Sequence, residues 1–208
     1  DKSLISVAGA PLLRWSLDAL QAHPSVRRVV LVTAAERVHA YASLSWIPSK
    51  VTQIATGGDS RSASVLAGFT ALRQAPGARA DVIAVHDAAR PGLSRELLDR
   101  LFAACGSDAS APTLPLSDSI VQVQVEDSAR VRAGSVPRET VAAVQTPQCF
   151  AGQHLDRMIS EIGTLLASAS LPTDETSVLE RIGVTVHLVD GDARLRKLTD
   201  SSDLPVME

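Results

Sequence analysis

An uninterrupted apolar run, Val82-Ile83-Ala84-Val85, passes straight into His86-Asp87-Ala88-Ala89-Arg90-Pro91, and an amphipathic stretch from Leu93 to Cys105 follows. A run without polar alternation suits a strand covered on both faces, and a helix that returns behind it is the usual way to join parallel strands. The pattern recurs. Arg28 to Thr33 reads as a buried parallel strand before a short helix from Ala34 to Ala42, and Val51 to Ile54 as a strand before a helix from Ser62 to Leu72. Ala109 to Leu116 and Val184 to Val189 are further strands. The expected fold is α/β, a Rossmann-like, mostly parallel sheet flanked by helices. Ligands bind such sheets at the mouths of the strands, where Asp87 and Arg90 would face each other with only two alanines between them. By residue type alone, Asp87 could equally cap the next turn with Arg90 as its ion-pair partner.

The chain has 208 residues, 45% of them hydrophobic, and a net charge of -3, which fits a single domain over 1–208 with an ordinary core. Lys and Arg number 20 against 23 Asp and Glu, and aromatics make up 3%. There is thus no basic excess for a nucleic-acid polymer and few base-stacking platforms, so any nucleotide should be a small ligand. Cys105 and Cys149 lack ligand spacing, and the 5 histidines form no paired metal pattern, so no protein-held metal is expected and a reduced, cytoplasmic setting follows. No apolar run reaches membrane length and no signal peptide is recognisable, so no membrane association is expected. The sequence opens at Asp1 without a methionine and closes at Glu208 on what reads as a helix start, so both ends are expected to be cut.

Four more stretches carry chemistry. Thr56-Gly57-Gly58-Asp59-Ser60-Arg61-Ser62-Ala63-Ser64-Val65 sets two glycines before a helix, where backbone can approach a ligand and unpaired N–H groups attract anions, although a cap by Asp59 or Ser60 explains it as well. Asp118 to Val125 alternates strictly, and with a turn at 126–128 and a return over Ala129 to Val136 it makes a hairpin arm over about 118–138. Such an arm either projects and finds a partner surface or lies flat on its own sheet. Ala142 to Gln145 should be a strand ending at Thr146-Pro147-Gln148, with the Thr146 hydroxyl directed to the same mouth as Asp87, and a long helix should run from Gly152 to Ala167. Thr173-Asp174-Glu175 opens a helix with Thr173 as its N-cap, and Arg194 to Thr199 brings a last cationic segment.

The stretches Gly57 to Val65, Val85 to Pro91, Thr146 to Gln148 and Thr173 to Glu175 together resemble the 2-C-methyl-D-erythritol 4-phosphate cytidylyltransferase family, in that family's order. The resemblance implies a homodimer clasped by the arm, with CTP and a polyol phosphate as partners and Mg2+ held mainly by the CTP phosphates. It assigns Gly58, Asp59, Ser64 and Ala88 to CTP, and Asp87, Arg90, Thr146 and Thr173 to the polyol phosphate. Ser119 and Arg138 would reach the neighbouring subunit's substrate, and Lys2 and Lys197 would be the catalytic cations. The reaction it implies joins a phosphate oxygen of methylerythritol phosphate to the α-phosphorus of CTP, releasing pyrophosphate, in non-mevalonate isoprenoid precursor synthesis.

The family's opening strand and Pro-Ala-Ala-Gly-x-Gly-x-Arg loop are absent from this sequence, and Lys2 stands between Asp1 and Ser3 where the family has Pro and Gln. That segment is expected to be missing from the sequence rather than from the natural protein. Three other readings remain: a ribitol 5-phosphate cytidylyltransferase on the same scaffold, a non-catalytic nucleotide-binding dimer module, and one part of a fused enzyme.

Overall fold

The computed structural model describes residues 2–75, 77 and 80–198. Two two-residue strands, β1 (Ser6–Val7) and β2 (Ala10–Pro11), lead into α1 (Leu12–Ala22), whose Leu12, Leu13 and Leu17 are buried at helical spacing. Pro11 stands at the N-cap and the helix stops at His23, before Pro24. Next come β3 (Val29–Thr33), α2 (Val38–Ala42), β4 (Val51–Thr56), α3 (Arg61–Gln74), β5 (Val82–Val85), α4 (Arg95–Cys105) and β6 (Ala109–Pro115). The arm is β7 (Ile120–Glu126) and β8 (Ala129–Val136). It is followed by β9 (Ala142–Val144), β10 (Gln148–Ala151), α5 (Leu155–Ala167), α6 (Glu175–Arg181) and β11 (Val186–Asp190).

The main sheet runs β11-β6-β10-β5, with β9 also on β6. β6 and β11 are parallel, and β10 lies antiparallel between β5 and β6, so β5, β6 and β11 all point the same way. β3 and β4 form a separate parallel pair. The expected parallel set is present, then, but with an antiparallel strand wedged into it.

That strand is a correction to the sequence reading, which ends the strand from Ala142 in a turn. β9 pairs with Thr113 to Pro115 and β10 with Ala109 and Ser110, so both lie along β6 with Gln145-Thr146-Pro147 between them, and the Thr146-Pro147 bond is cis. Pro147 has no N–H to give a ladder; pairing along β6 ends at Val144 and resumes at Cys149, while pairing with β5 begins at Gln148. The register sets Gln148 beside Val85. The segment just before β10 and the residues just after β5 therefore meet at one rim.

Neighbouring residues of β5 and β10 point to opposite faces, and each face has its own core. Ile83 and Phe150 pack with Phe69 of α3, Met158 and Ile162 of α5, and Val178 and Leu179 of α6. Val82 and Cys149 pack on the other side with Leu97, Leu98 and Leu101 of α4 and Leu20 of α1. The sheet is thus a middle layer between helices, but β5 ends its described path and leaves Ala84 exposed, so the expected cover on both faces of that run is incomplete.

Among the described residues β7 and β8 pair only with each other, around a two-residue turn with Asp127 and Ser128 at φ 46° and 67° and a register shift at Gln122/Val123. Val125 is 72% exposed and Val123 46%, so the arm projects and does not lie on its own sheet. The expected N-cap of α6 is also corrected. Asp174, not Thr173, caps it, because its carboxylate accepts from Ser177 N at 3.0 Å and from the Thr176 hydroxyl at 2.9 Å. Asp1, Thr199 and the helix start expected at Glu208, with part of the loop expected over 74–80, lie outside the described residues.

Gly152 shows how closely the layers meet: a Cβ there would stand 1.9 Å from the Ala80 carbonyl oxygen, whereas one on Gly163, inside α5, would meet nothing within 4 Å. Gly152→Ala should therefore cost about 3 kcal/mol by forcing backbone apart. Gly163→Ala should stabilise by up to about 1 kcal/mol through helix propensity. Urea unfolding of the two variants checks both signs.

Candidate functional site

α3 begins where Ser60 caps it, its hydroxyl accepting from Ala63 N at 3.1 Å. The glycines before the cap are required by crowding, since a Cβ on Gly57 would lie 2.6 Å from Ser64 Oγ and one on Gly58 2.6 Å from Ala63 Cβ. Gly58 N also donates to Ser64 Oγ at 3.2 Å, which folds the loop onto the first turn of the helix. Ser60 does the capping, so exposed Asp59 is left facing solvent beside it.

Arg61, the first residue of α3, reaches out of this loop to two carboxylates. Its guanidinium donates to both Glu175 oxygens at 2.7 and 2.8 Å and to Asp87 Oδ1 at 3.3 Å. Lys197 Nζ donates to the other Asp87 oxygen at 3.0 Å. Burial alone would raise the Asp87 carboxyl, but Arg61 and Lys197 outweigh it and hold it below its ordinary range. Glu175, 3% exposed, goes the other way: burial outweighs Arg61 and raises it. Burial likewise opposes the charge on Arg61, and Glu175 and Asp87 reverse that and strengthen its hold on its proton.

The loop after β5 is held from behind. Asp87 N donates to Thr146 Oγ1 at 3.0 Å. His86 lies between Thr146, at 3.2 Å from Nδ1, and the Arg90 carbonyl, at 3.1 Å from Nε2. Burial depresses the His86 imidazole to about 4, well below 6.5, against the pull of the Arg90 carbonyl and Asp87. Arg90 Nη1 donates to the Leu195 carbonyl at 2.8 Å, while its Nε is buried without a partner. Burial lowers the Arg90 guanidinium, Asp87 opposes that shift, and Arg61 adds to it. From the other side, Leu198 N donates to the Ala89 carbonyl at 2.9 Å. Ala88 packs beneath, against the cluster of Leu13, Leu17 and Leu31. Gln148 closes the ring: its amide donates to Asp174 at 3.0 Å and its oxygen accepts from Thr176 N at 3.0 Å.

Of the residues singled out from sequence, Asp87, Arg90, Thr146 and Lys197 converge, with Gly58 and Ser64 in the loop that leads into Arg61 and Ala88 in the loop after β5. Thr173 is exposed, just before the α6 cap. Lys2 is exposed in a short turn whose Leu4 packs in the same cluster as Ala88. Ser119 and Arg138 stand at the base of the arm, where Arg138 donates to the Ser117 carbonyl at 2.7 Å. Sequence reasoning missed the pairing of Arg61 with Glu175, the Gln148 bridge and the reciprocal bonds of Gln145 with the Asp192 backbone at 2.9 and 3.0 Å. The motifs contained Arg61, Glu175 and Gln148, but no local pattern says which charges 114 positions apart will meet.

Two shallow cavities lie elsewhere, one of about 510 Å3 between β4 and α3 and one of about 530 Å3 where α5 meets the start of β5. Neither is lined by the charged group around Asp87, where the donors and acceptors converge. No described helix is long and apolar enough to cross a membrane.

A family model described as IspD, 2-C-methyl-D-erythritol 4-phosphate cytidylyltransferase, matches residues 1–208. The 2-C-methyl-D-erythritol 4-phosphate cytidylyltransferase of Ralstonia nicotianae is 34% identical, over 97% of this chain and 81% of that protein. The bifunctional enzyme IspD/IspF of Sphingopyxis alaskensis is 38% identical over 99% of this chain, which spans 49% of that longer protein. The crystal structure of 2-C-methyl-D-erythritol 4-phosphate cytidylyltransferase from Thermus thermophilus superposes with a TM-score of 0.75 at 28% identity, covering 100% of this chain and 92% of that one.

The Arg61 bridge and the His86 imidazole each lead to an expected outcome. Arg61→Met should cost about 3 kcal/mol by leaving Glu175 buried without a cation, and adding Glu175→Gln should recover much of that loss in denaturant unfolding. For His86, the folded value lies below the unfolded one, so its contribution is complete above about 6.5 and is lost as pH falls toward 4. Between pH 7 and 5 the protein should lose about 2 kcal/mol more stability than its His86→Gln variant.

Proposed function

The chain belongs to the 2-C-methyl-D-erythritol 4-phosphate cytidylyltransferase family, and from that premise we propose that it joins CTP to 2-C-methyl-D-erythritol 4-phosphate and releases pyrophosphate, a step in non-mevalonate isoprenoid precursor synthesis. One observation carries this reading. Asp87, Arg90, Thr146 and Lys197 share one rim of the sheet, and Arg61 ties that rim to the glycine loop at the start of α3.

In the proposed reaction an oxygen of the substrate's phosphate monoester attacks the α-phosphorus of CTP. The new P–O bond forms as the bond to the bridging oxygen of the β-phosphate breaks, and pyrophosphate leaves with that electron pair. A phosphate monoester is largely ionised near neutral pH, so no protein base has to take a proton. The barrier is chiefly the repulsion of two anions. Lys197, with 42% of its side chain exposed, holds Asp87 with one N–H and has two more to offer an incoming phosphate. Asp87, kept ionised by its two cations, accepts from polyol hydroxyls, and Thr146 and Thr173 add contacts. Gly58, Asp59, Ser64 and Ala88 receive the nucleoside, and Lys2 supplies a second cation at the triphosphate.

Among the described residues no group of three His, Cys, Asp or Glu is placed to hold a metal ion. Mg2+ held mainly by the CTP phosphates would neutralise charge growing on the phosphoryl oxygens. The exposed valines Val121, Val123 and Val125 support an arm that clasps a second copy in a cytoplasmic homodimer. Ser119 and Arg138, at its base, then enter the partner's site.

Turnover assays on the intact natural protein with CTP, Mg2+ and either methylerythritol phosphate or ribitol 5-phosphate test the reading, and the first polyol should be preferred. Lys197→Met should lower kcat on the order of 100-fold. Arg138→Ala should be inactive alone, and mixing it with the impaired Lys197→Met should raise activity above that of either variant through hybrid dimers. Absence of restoration in mixed dimers would remove the shared site.

A further inference from the structure

His86 has no part in the chemistry proposed above, yet its ring has a partner at each nitrogen. Nε2 lies 3.1 Å from the Arg90 carbonyl oxygen and 3.2 Å from Ser16 Oγ, and Ser16 directs its own proton to that carbonyl at 3.1 Å. A carbonyl can only accept, so Nε2 carries the ring's proton and Nδ1 is bare. Nδ1 faces Thr146 Oγ1, at 3.2 Å, and must accept from it.

The consequence falls on Thr146. A hydroxyl has one proton and two lone pairs. The proton goes to His86, and one lone pair takes the Asp87 N–H at 3.0 Å. One lone pair is left. Thr146 is 4% exposed, so what reaches it is a single small group, and that group must be a donor.

We propose that His86 is a positioning residue that commits Thr146 to accept from a hydroxyl of the substrate, making this position a reader of hydroxyl donors and a barrier to carbonyl or phosphoryl oxygens. The inference rests on the polyol phosphate reading for the identity of the ligand. The same ring also fixes the turn that presents Asp87 and Arg90, because Ser16 of α1 and Nε2 both hold the Arg90 carbonyl.

Two substitutions separate the ring's two bonds. His86→Asn keeps an acceptor near Nδ1, and His86→Gln keeps a donor near Nε2 but leaves the Thr146 proton without its acceptor. In the intact natural protein, His86→Gln should raise KM for the polyol phosphate about 10-fold and leave KM for CTP within about twofold, the cost of one misdirected hydrogen bond. His86→Asn should recover most of that loss. Thr146→Val should reproduce it, and the double variant His86→Gln/Thr146→Val should be no worse than Thr146→Val alone. Equal damage from Asn and Gln, equal rises in both KM values, or multiplying losses in the double variant would overturn the proposal. A second readout does not depend on turnover. The 15N spectrum of labelled imidazole should place the proton on Nε2 and show the Nδ1 resonance moving in Thr146→Val, and a proton on Nδ1 would overturn the inference whatever the substrate proves to be.

Discussion

The site depends on one guanidinium lying between two carboxylates. Asp87 follows β5, Glu175 opens α6, and Arg61 opens α3, so a single side chain sets the spacing of three loops. Without it, two anions would share a partly buried space, an arrangement that raises at least one of them toward neutrality. With it, the more open Asp87 remains charged, while burial raises the sealed Glu175 against the pull of Arg61. The asymmetry assigns different work to the two acids: Glu175 anchors Arg61, and Asp87 faces outward, sharing Lys197.

The sheet topology explains how distant residues reach this rim. An all-parallel arrangement would bring only strand ends to the mouth. Wedging β10 the other way round between β5 and β6 brings a strand beginning there as well, so Thr146, just before β10, meets Asp87, just after β5. The break at Pro147 turns one long pairing along β6 into β9 and β10 and frees the intervening residues to bond sideways: Gln145 to the turn at Asp192, and Thr146 to the loop after β5.

How much of this was legible in the sequence follows the range of the interactions. The run Val82 to Val85, the amphipathic helix ending at Cys105 and the alternating arm all obey local periodicities, and the structure places them close to where those periodicities put them. The glycine pair, too, announces a close approach, which the structure shows to be onto Ser64 and Ala63. What stays hidden are choices between chemically similar neighbours and between distant charges. Thr173 and Asp174 are both good caps, and Asp174 prevails because Gln148, from another strand, supplies its second oxygen with a donor. Thr-Pro-Gln has the look of a turn, and only pairing with β5 and β6 makes Gln148 to Ala151 a strand. The family resemblance names Asp87 and Lys197 for their expected ligands, but not for each other.

Lys197 is placed by its neighbours. Leu195 and Leu198 on either side are 0% and 2% exposed, the Leu195 carbonyl is gripped by Arg90, and Leu198 N is hung from Ala89. Gly92 allows the main chain at Arg194 to come so near that a methyl group would collide with its carbonyl at 2.1 Å. The backbone thus forms a socket whose location is indifferent to the side chain plugged into it. An arginine, a glutamine or an unnatural amine at that position would be delivered to the same spot beside Asp87, which makes it the natural address for chemical replacement of the cation with the surrounding framework left standing.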